Sequence, residues 1–180
     1  MQQSDHTRGR AGITPIDPAL LRSPIDYLHA VHLCEREVCA VLERIAERGR
    51  ALQDEIEATT AFLSDDLPAH LEDEEQDLFA LLRQRCDAED EIDPLLEKLE
   101  DDHRHAVIET PGVLDILRSA ASGLGPTAAE ELRRFANHAR RHLILENAVL
   151  IPFARLRLTA VDIDVLRLSM RRRRGQIYVD

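Results

Sequence analysis

The stretch LPAHLEDEEQDLF, residues 67–79, decides how this chain reads. Leu67, Leu71, Leu78 and Phe79 recur at helical spacing, and the stripe extends back through Leu63, Phe62, Ile56 and Leu52 and forward to Leu82. Thr59 is a mild interruption of it. Pro68 is expected to kink the helix, because its ring displaces the carbonyl four residues earlier. His70 and Glu74 stand within this stretch. Residues four apart lie ~40° apart around a helix and ~6 Å along it, so their side chains meet on one face. An imidazole and a carboxylate so placed can ligate one transition-metal ion. Taken alone the pair is weak evidence, since Glu-rich helices produce it by chance.

The rest of the chain repeats it. His142 and Glu146 form a second His-x-x-x-Glu pair. His32 precedes His70 by 38 residues and His103 precedes His142 by 39. In an antiparallel hairpin, residues equidistant from the turn sit at one height. The midpoint of His32 and His70 is residue 51, beside Gly49; that of His103 and His142 falls between 122 and 123, beside Gly123 and Gly125. The midpoint of Glu74 and His103 falls between 88 and 89, inside the acidic run Asp87 to Asp93. Three turns marked by Gly, Pro and charge thus agree with a single layer of four imidazoles and two carboxylates. Such a layer in an apolar core is costly when empty and reasonable when it holds metal. Two carboxylates from facing helices can bridge two ions, each keeping two imidazoles. Six donors for two ions leave positions open, where small molecules bind a redox-capable metal.

Periodicity outlines the helices around this layer. The first is expected from about Pro24 to Arg48, ended by Gly49. The second runs from about Ala51 to Arg85. A third starts near Pro94, with a break expected at Pro111-Gly112. A fourth starts near Pro126 or Thr127, where Thr127 and Glu130 fit a capping box, and Pro152 bends or tightens its last turn. Thr159 with Asp162 fits another capping box, opening a short last helix. Short loops between long helices imply antiparallel neighbours. The expectation is an all-α, up-down-up-down four-helix bundle over residues 18–158. A flexible segment over 1–17 precedes it, and a short C-terminal helix with a tail over 159–180 completes the chain.

Composition narrows the function classes. The chain has 180 residues, enough to bury about 70% of its unfolded surface without a metal or disulfide as a staple. Aromatics are 3% with no Trp, against strand-rich folds and base-stacking platforms. The net charge of −11 disfavours nucleic acid. Residues 65–102 hold 16 acids against Arg83, Arg85 and Lys98; this reads as a solvated face or as a field attracting cations. Arg171 to Arg174 reads as a helix C-terminus, where cations suit the dipole. No apolar run reaches the ~18 residues of a membrane span, and residues 1–17 lack the apolar core of a signal peptide. Cys34, Cys39 and Cys86 fit reduced thiols, so a cytoplasmic location is expected.

The combined pattern resembles the hemerythrin-like family, the HHE cation-binding domain, over about residues 20–156. His32, His70 with Glu74, His103, and His142 with Glu146 carry the resemblance, with Asp101-Asp102-His103-Arg104 and Glu146-Asn147-Ala148-Val149-Leu150 around them. It implies a four-helix bundle with a non-haem di-iron centre, two iron ions with an oxo or hydroxo bridge, and Glu74 and Glu146 bridging them. Zinc and manganese suit the same ligands. Oxygen carriers of the family have a further His one turn after the position of His103; here that place is Val107. Relatives with the reduced set are linked with stress responses, nitric oxide or iron handling. The expectation is therefore a protein that binds or senses O2, nitric oxide or peroxide, with iron storage or delivery as the alternative. No separate acid–base dyad is legible, so turnover is not expected.

Other residues are open at this stage. His138, one turn before His142, reads as a missing donor or as a half-exposed neighbour of Arg140 and Arg141. His105 is expected to face outward, and His29 to pack, face solvent or support His32. Glu75 and Asp73 are placed to accept an imidazole N–H or to stay exposed. Cys34 and Cys39 read as small core residues. The last helix is expected to cover one end of the bundle or to make a homodimer contact.

Overall fold

The computed structural model describes residues 10–176, and the described residues are helical with no strand among them. The parts of the expected terminal segments at 1–9 and 177–180 lie outside the described residues. Five helical runs succeed one another. Helix α1 is Pro24–Arg48. Run α2 covers 53–85, α3 is Ile92–Ser119, run α4 covers 126–157, and α5 is Ala160–Arg173. Helix α1 packs along α4 and also meets α2 and α5; α3 packs on both α2 and α4. Leu28, Leu42, Ile45, Phe62, Leu63, Phe79, Leu82, Leu96, Leu99 and Leu117 fill the space between them with 2% exposure or less. These are the positions that helical periodicity assigns to the inside.

The turns fall where equidistance requires. Gly49 ends α1 in the left-handed region at φ 72°, which glycine adopts without a Cβ clash. Ala51 N–H donates to the Ala120 carbonyl at 2.9 Å and Leu124 N–H to the Gly49 carbonyl at 2.7 Å, so the α1–α2 and α3–α4 connections are joined at one end of the molecule. The α2–α3 connection contains a 3-10 turn, Ala88–Asp90, and Arg157 from the end of α4 pairs with Asp90 at 2.5 Å.

Runs α2 and α4 are not regular α-helix throughout. Leu67 N–H bonds to the Phe62 carbonyl, Phe79 N–H to that of Glu74, and Ile151 N–H to that of Glu146. These five-residue steps mark π segments at Phe62–Asp66, Asp73–Leu78 and Glu146–Leu150. Pro68 and Pro152 each come just after such a segment. The carbonyls their rings would strike, on Ser64 and Ala148, lie inside the widened turns. The distortion expected at Pro68 and Pro152 therefore takes the form of a local widening.

Two sequence expectations are corrected. Helix α3 runs unbroken through Pro111-Gly112. Both residues are exposed, so the freed carbonyl faces water while Val113 and Leu117 keep the buried face continuous. Helix α4 begins at Pro126 with Gly125 as its N-cap, so Thr127 sits inside the first turn and the Thr127–Glu130 box does not form.

The Thr159–Asp162 box does form. The Asp162 carboxylate accepts from Thr159 N–H at 2.8 Å and from the Thr159 hydroxyl at 2.7 Å, and Asp162 N–H donates back to that hydroxyl. Arg85 grips the same carboxylate through two hydrogen bonds of 2.8 and 2.9 Å. Thr159→Ala is expected to cost about 1 kcal/mol of stability in urea unfolding. Arg85, then Thr159, holds the Asp162 carboxyl below the usual carboxylate range. A depressed folded-state value contributes stability above the unfolded value of about 3.9 and loses it in acid. The advantage of wild type over Asp162→Asn should be level above about pH 5 and shrink as the pH falls below about 4.

Candidate functional site

Each of the four longer runs contributes to one buried layer. Helix α1 places His32, α2 places His70 and Glu74, α3 places His103, and α4 places His142 and Glu146. His32, His70, Glu74 and Glu146 are fully buried, and His103 and His142 nearly so. Their donor atoms form two groups, His32, His70, Glu74 and Glu146, and Glu74, His103, His142 and Glu146. Within each group the atoms lie within 4.8 Å of one another. Both carboxylates belong to both groups.

The carboxylates are turned to serve the two sides. Glu146 Oε2 lies 3.4 Å from His32 Nε2, while its Oε1 lies 2.7 Å from His142 Nε2 and 3.6 Å from His103 Nε2. Glu74 Oε1 lies 3.4 Å from His32 Nε2, and its Oε2 lies 3.4 Å from His103 Nε2 and 3.8 Å from His70 Nε2. All four Nε2 atoms therefore face inward. The His103 and His142 Nε2 atoms stand 3.2 Å apart, an approach of two nitrogens that need a proton or a cation between them and the carboxylates.

The outward nitrogens are mostly supported. His32 Nδ1 pairs with Asn147 Oδ1 at 3.1 Å, and the Asn147 amide in turn donates to the Leu143 carbonyl at 2.7 Å. His103 Nδ1 pairs with Glu75 Oε1 at 2.9 Å. His142 Nδ1 is the exception: it lies 3.7 Å from Asp102 Oδ2, beyond hydrogen-bond reach, and has no partner. A partner on Nδ1 keeps a proton there, so that Nε2 is the nitrogen left to bind a cation once it gives up its own proton. Phe79 stacks on the His103 ring with centroids 5.7 Å apart and fixes its plane.

Polar atoms nonetheless remain unsatisfied. Despite the close contacts above, both ring nitrogens of His70, His142 Nδ1, Glu74 Oε2 and both carboxylate oxygens of Glu146 are buried and make no aligned hydrogen bond. Native interiors rarely leave such atoms unpaired, and each costs about 1–3 kcal/mol. A set of inward-facing imidazole nitrogens and carboxylate oxygens without partners fits cations between them.

The charges point the same way. Burial pulls the His32 imidazole down, but Glu146 and Glu74 outweigh it and raise it to about 9. Burial likewise opposes His103, and Glu146, Glu74 and Glu75 together push it up to about 12. His70 is carried down to about 4 by burial. Burial raises Glu74 and Glu146, yet the surrounding imidazoles win and hold both below the usual range. Two buried carboxylates thus demand positive charge at this layer.

The remaining sequence candidates divide. Val107, at the place of the family's additional His, is 61% exposed and takes no part. His138 belongs to neither donor group; its Nε2 lies 3.4 Å from Asp102 and its ring packs on His105 at 4.4 Å. His105 faces outward and pairs with Glu109 at 3.2 Å, and His29 is exposed. Cys34 and Cys39 are buried, and burial pushes the Cys34 thiol up to about 12. Asp73 meets no imidazole but is held by Arg173 and Arg174.

Two supporting residues are not foreseen from the sequence. Asn147 comes directly after Glu146, and as a neutral amide it carries no signal of a ligand or of a titratable partner. Glu35, one turn after His32, is 6% exposed on the buried stripe of α1. An acid interrupting that stripe is the signal that could have found it. Glu35 lines a small cavity with Leu67, Leu71, His138 and His142 that has room for about one water.

The geometry defines a class: an all-helical protein with a buried, paired His/carboxylate cluster suited to cations. The chain matches the hemerythrin HHE cation binding domain over residues 23–154 and belongs to that family. No curated protein and no solved structure matches it. Helix α5 lies beyond the matched span.

Burial raises the Glu35 carboxyl to about 7. A raised folded-state value gives stability that is present in acid and lost as the pH rises through about 7. In chelator-treated protein, Glu35→Gln is expected to match wild type at pH 5 and to exceed it at pH 8, by up to about 3 kcal/mol in urea unfolding.

Proposed function

We propose that the chain is an up-down-up-down four-helix bundle, spanning residues 18–158, that holds two iron ions and binds or senses a small ligand such as O2, nitric oxide or peroxide. The single observation that carries this reading is that Glu74 and Glu146 each belong to both donor groups. His32 and His70 would hold one ion and His103 and His142 the other, with the two carboxylates bridging. A metal pair so held supplies redox chemistry and open coordination positions, because two imidazoles and two shared carboxylates do not fill its shell. The same donors accept zinc and manganese.

The protein's own groups have separable tasks on this reading. Asn147 and Glu75 orient His32 and His103. Leu67, Leu71 and Phe135 wall the small cavity beside His103 and His142, restricting access to ligands of a few atoms. Without a third imidazole at Val107 the two sides are equally filled, each with two imidazoles and two shared carboxylates, which favours sensing or reaction over reversible carriage. A cytoplasmic location and absence of nucleic-acid partners accord with the thiols and the charge of −11. Among the described residues no helix is long and apolar enough to cross a membrane.

Storage or delivery of iron is the weaker reading. It rests on the acidic span 65–102, but Glu72, Asp73, Asp77, Asp90, Asp93, Glu100 and Asp102 are paired with Arg or Lys. They act as counter-charges more than as a cation-collecting field.

Elemental analysis of protein expressed in iron-rich medium tests the proposal. Two ions per chain are expected, falling below one in the Glu74→Ala/Glu146→Ala double variant, while His138→Ala retains both. Binding to the folded state alone should raise the melting temperature, and chelation should reverse the rise. Nitric oxide should then change the visible absorption of the iron-loaded protein. One ion per chain that survives loss of His103 would contradict the paired arrangement.

A further inference from the structure

We propose that α5, a helix outside the family domain, is a clamp whose Arg173 and Arg174 hold the π segment presenting Glu74. The inference rests on the two-ion reading above. Glu74 sits in Asp73–Leu78, and its immediate neighbour Asp73 is fully buried. Both guanidinium groups converge on that one carboxylate. Arg173 Nη1 bonds Asp73 Oδ1; Arg174 donates to Oδ1 at 3.1 Å and to Oδ2 at 2.5 Å. Arg173 reaches further, to Asp77 Oδ2 within the segment at 2.9 Å and to Glu72 Oε2, just before it, at 3.0 Å. Arg174 Nε donates to Tyr27 Oη on α1 at 3.0 Å, with its guanidinium 4.8 Å from the Tyr27 ring centroid.

The segment is therefore pinned at positions 72, 73 and 77, before and after Glu74, and tied to α1. One arginine would neutralise Asp73. The second converges on the same carboxylate while Arg173 also grips Glu72 and Asp77, so the two forks together hold the turn at three positions. Anchoring α5 does not require this, because Leu166 and Met170 are fully buried and Arg85 already grips its start through Asp162. A π turn is a local departure from the regular α-helical hydrogen-bond pattern. Glu74 presents its oxygens to His32, His70 and His103 only while that turn keeps its shape. Groups that orient a ligand typically govern metal affinity by 10–100-fold. Arg173 and Arg174 are thus positioning residues for the site, acting through Asp73.

The test uses the full chain loaded with cobalt(II), whose visible spectrum reports ligand geometry. Three proteins are compared: wild type, Arg173→Gln/Arg174→Gln, and Arg85→Gln, which loosens the other end of α5 without touching the π segment. Circular dichroism checks helicity, elemental analysis gives stoichiometry, and transfer to a chelator gives the release rate. The double variant is expected to keep its helicity and its two ions, to show an altered spectrum, and to release cobalt about 10–100-fold faster. Arg85→Gln should match wild type in spectrum and rate. If the double variant does not fold, Arg173→Lys/Arg174→Lys keeps the charges without the forked donors and should show the same changes in smaller measure. A wild-type spectrum and rate in the folded arginine variants, or equal acceleration in Arg85→Gln, would overturn the clamp while leaving the two-ion site intact. Wild type that takes up no cobalt would overturn the two-ion reading itself, and the clamp with it.

Discussion

Two carboxylates facing one another in a dry interior constrain everything else in this molecule. Glu74 and Glu146 have no exposure, and their burial alone would push both toward the neutral form. They stay ionised because four imidazoles surround them. Without metal, protons on His32, His103 and His142 supply the compensating positive charge, while burial keeps His70 neutral and leaves its ring nitrogens without partners. The layer is stable as a whole only with positive charge inside it. Each of the four longer runs contributes one histidine to it, and the turns lie at matching distances from the layer.

The backbone is irregular at the same places. Both carboxylates open a π segment or sit one residue inside it, Glu74 in Asp73–Leu78 and Glu146 in Glu146–Leu150. In each case the glutamate carbonyl accepts the five-residue hydrogen bond. A widened turn rotates the helix on its C-terminal side relative to the helix on its N-terminal side. His70 and Glu74, and likewise His142 and Glu146, thereby stay on the inner face while the hydrophobic stripe beyond them is reset. Pro152 stabilises one of these segments by removing a competing amide, and Arg173 and Arg174 brace the other from outside. The two halves reach one geometry by different local means.

Much of this was legible from residue spacing. Helix α1 ends at Gly49 as expected, since a left-handed cap is a local property of glycine. The all-helical class came from a repeat period that tertiary contacts only reinforced. The six residues of the layer were legible because a duplicated His and His-x-x-x-Glu pattern had to agree with the turns. What the sequence concealed was non-local. Pro111-Gly112 reads as a break, but on an exposed face it costs too little to interrupt α3. Asp73 reads as a possible partner for an imidazole, yet it is captured by arginines a hundred residues away. His138 shares a helix face with His142, but Asp102 and His105 hold it outside the layer. No spacing rule records which of two equivalent neighbours a side chain meets.

Anomalous diffraction from crystals of the protein, collected across the iron edge, tests the central claim most directly. Two separate peaks are predicted in the layer, one against His32 and His70 and the other against His103 and His142, with Glu74 and Glu146 spanning both. A single peak, or scattering located away from these six side chains, would contradict it.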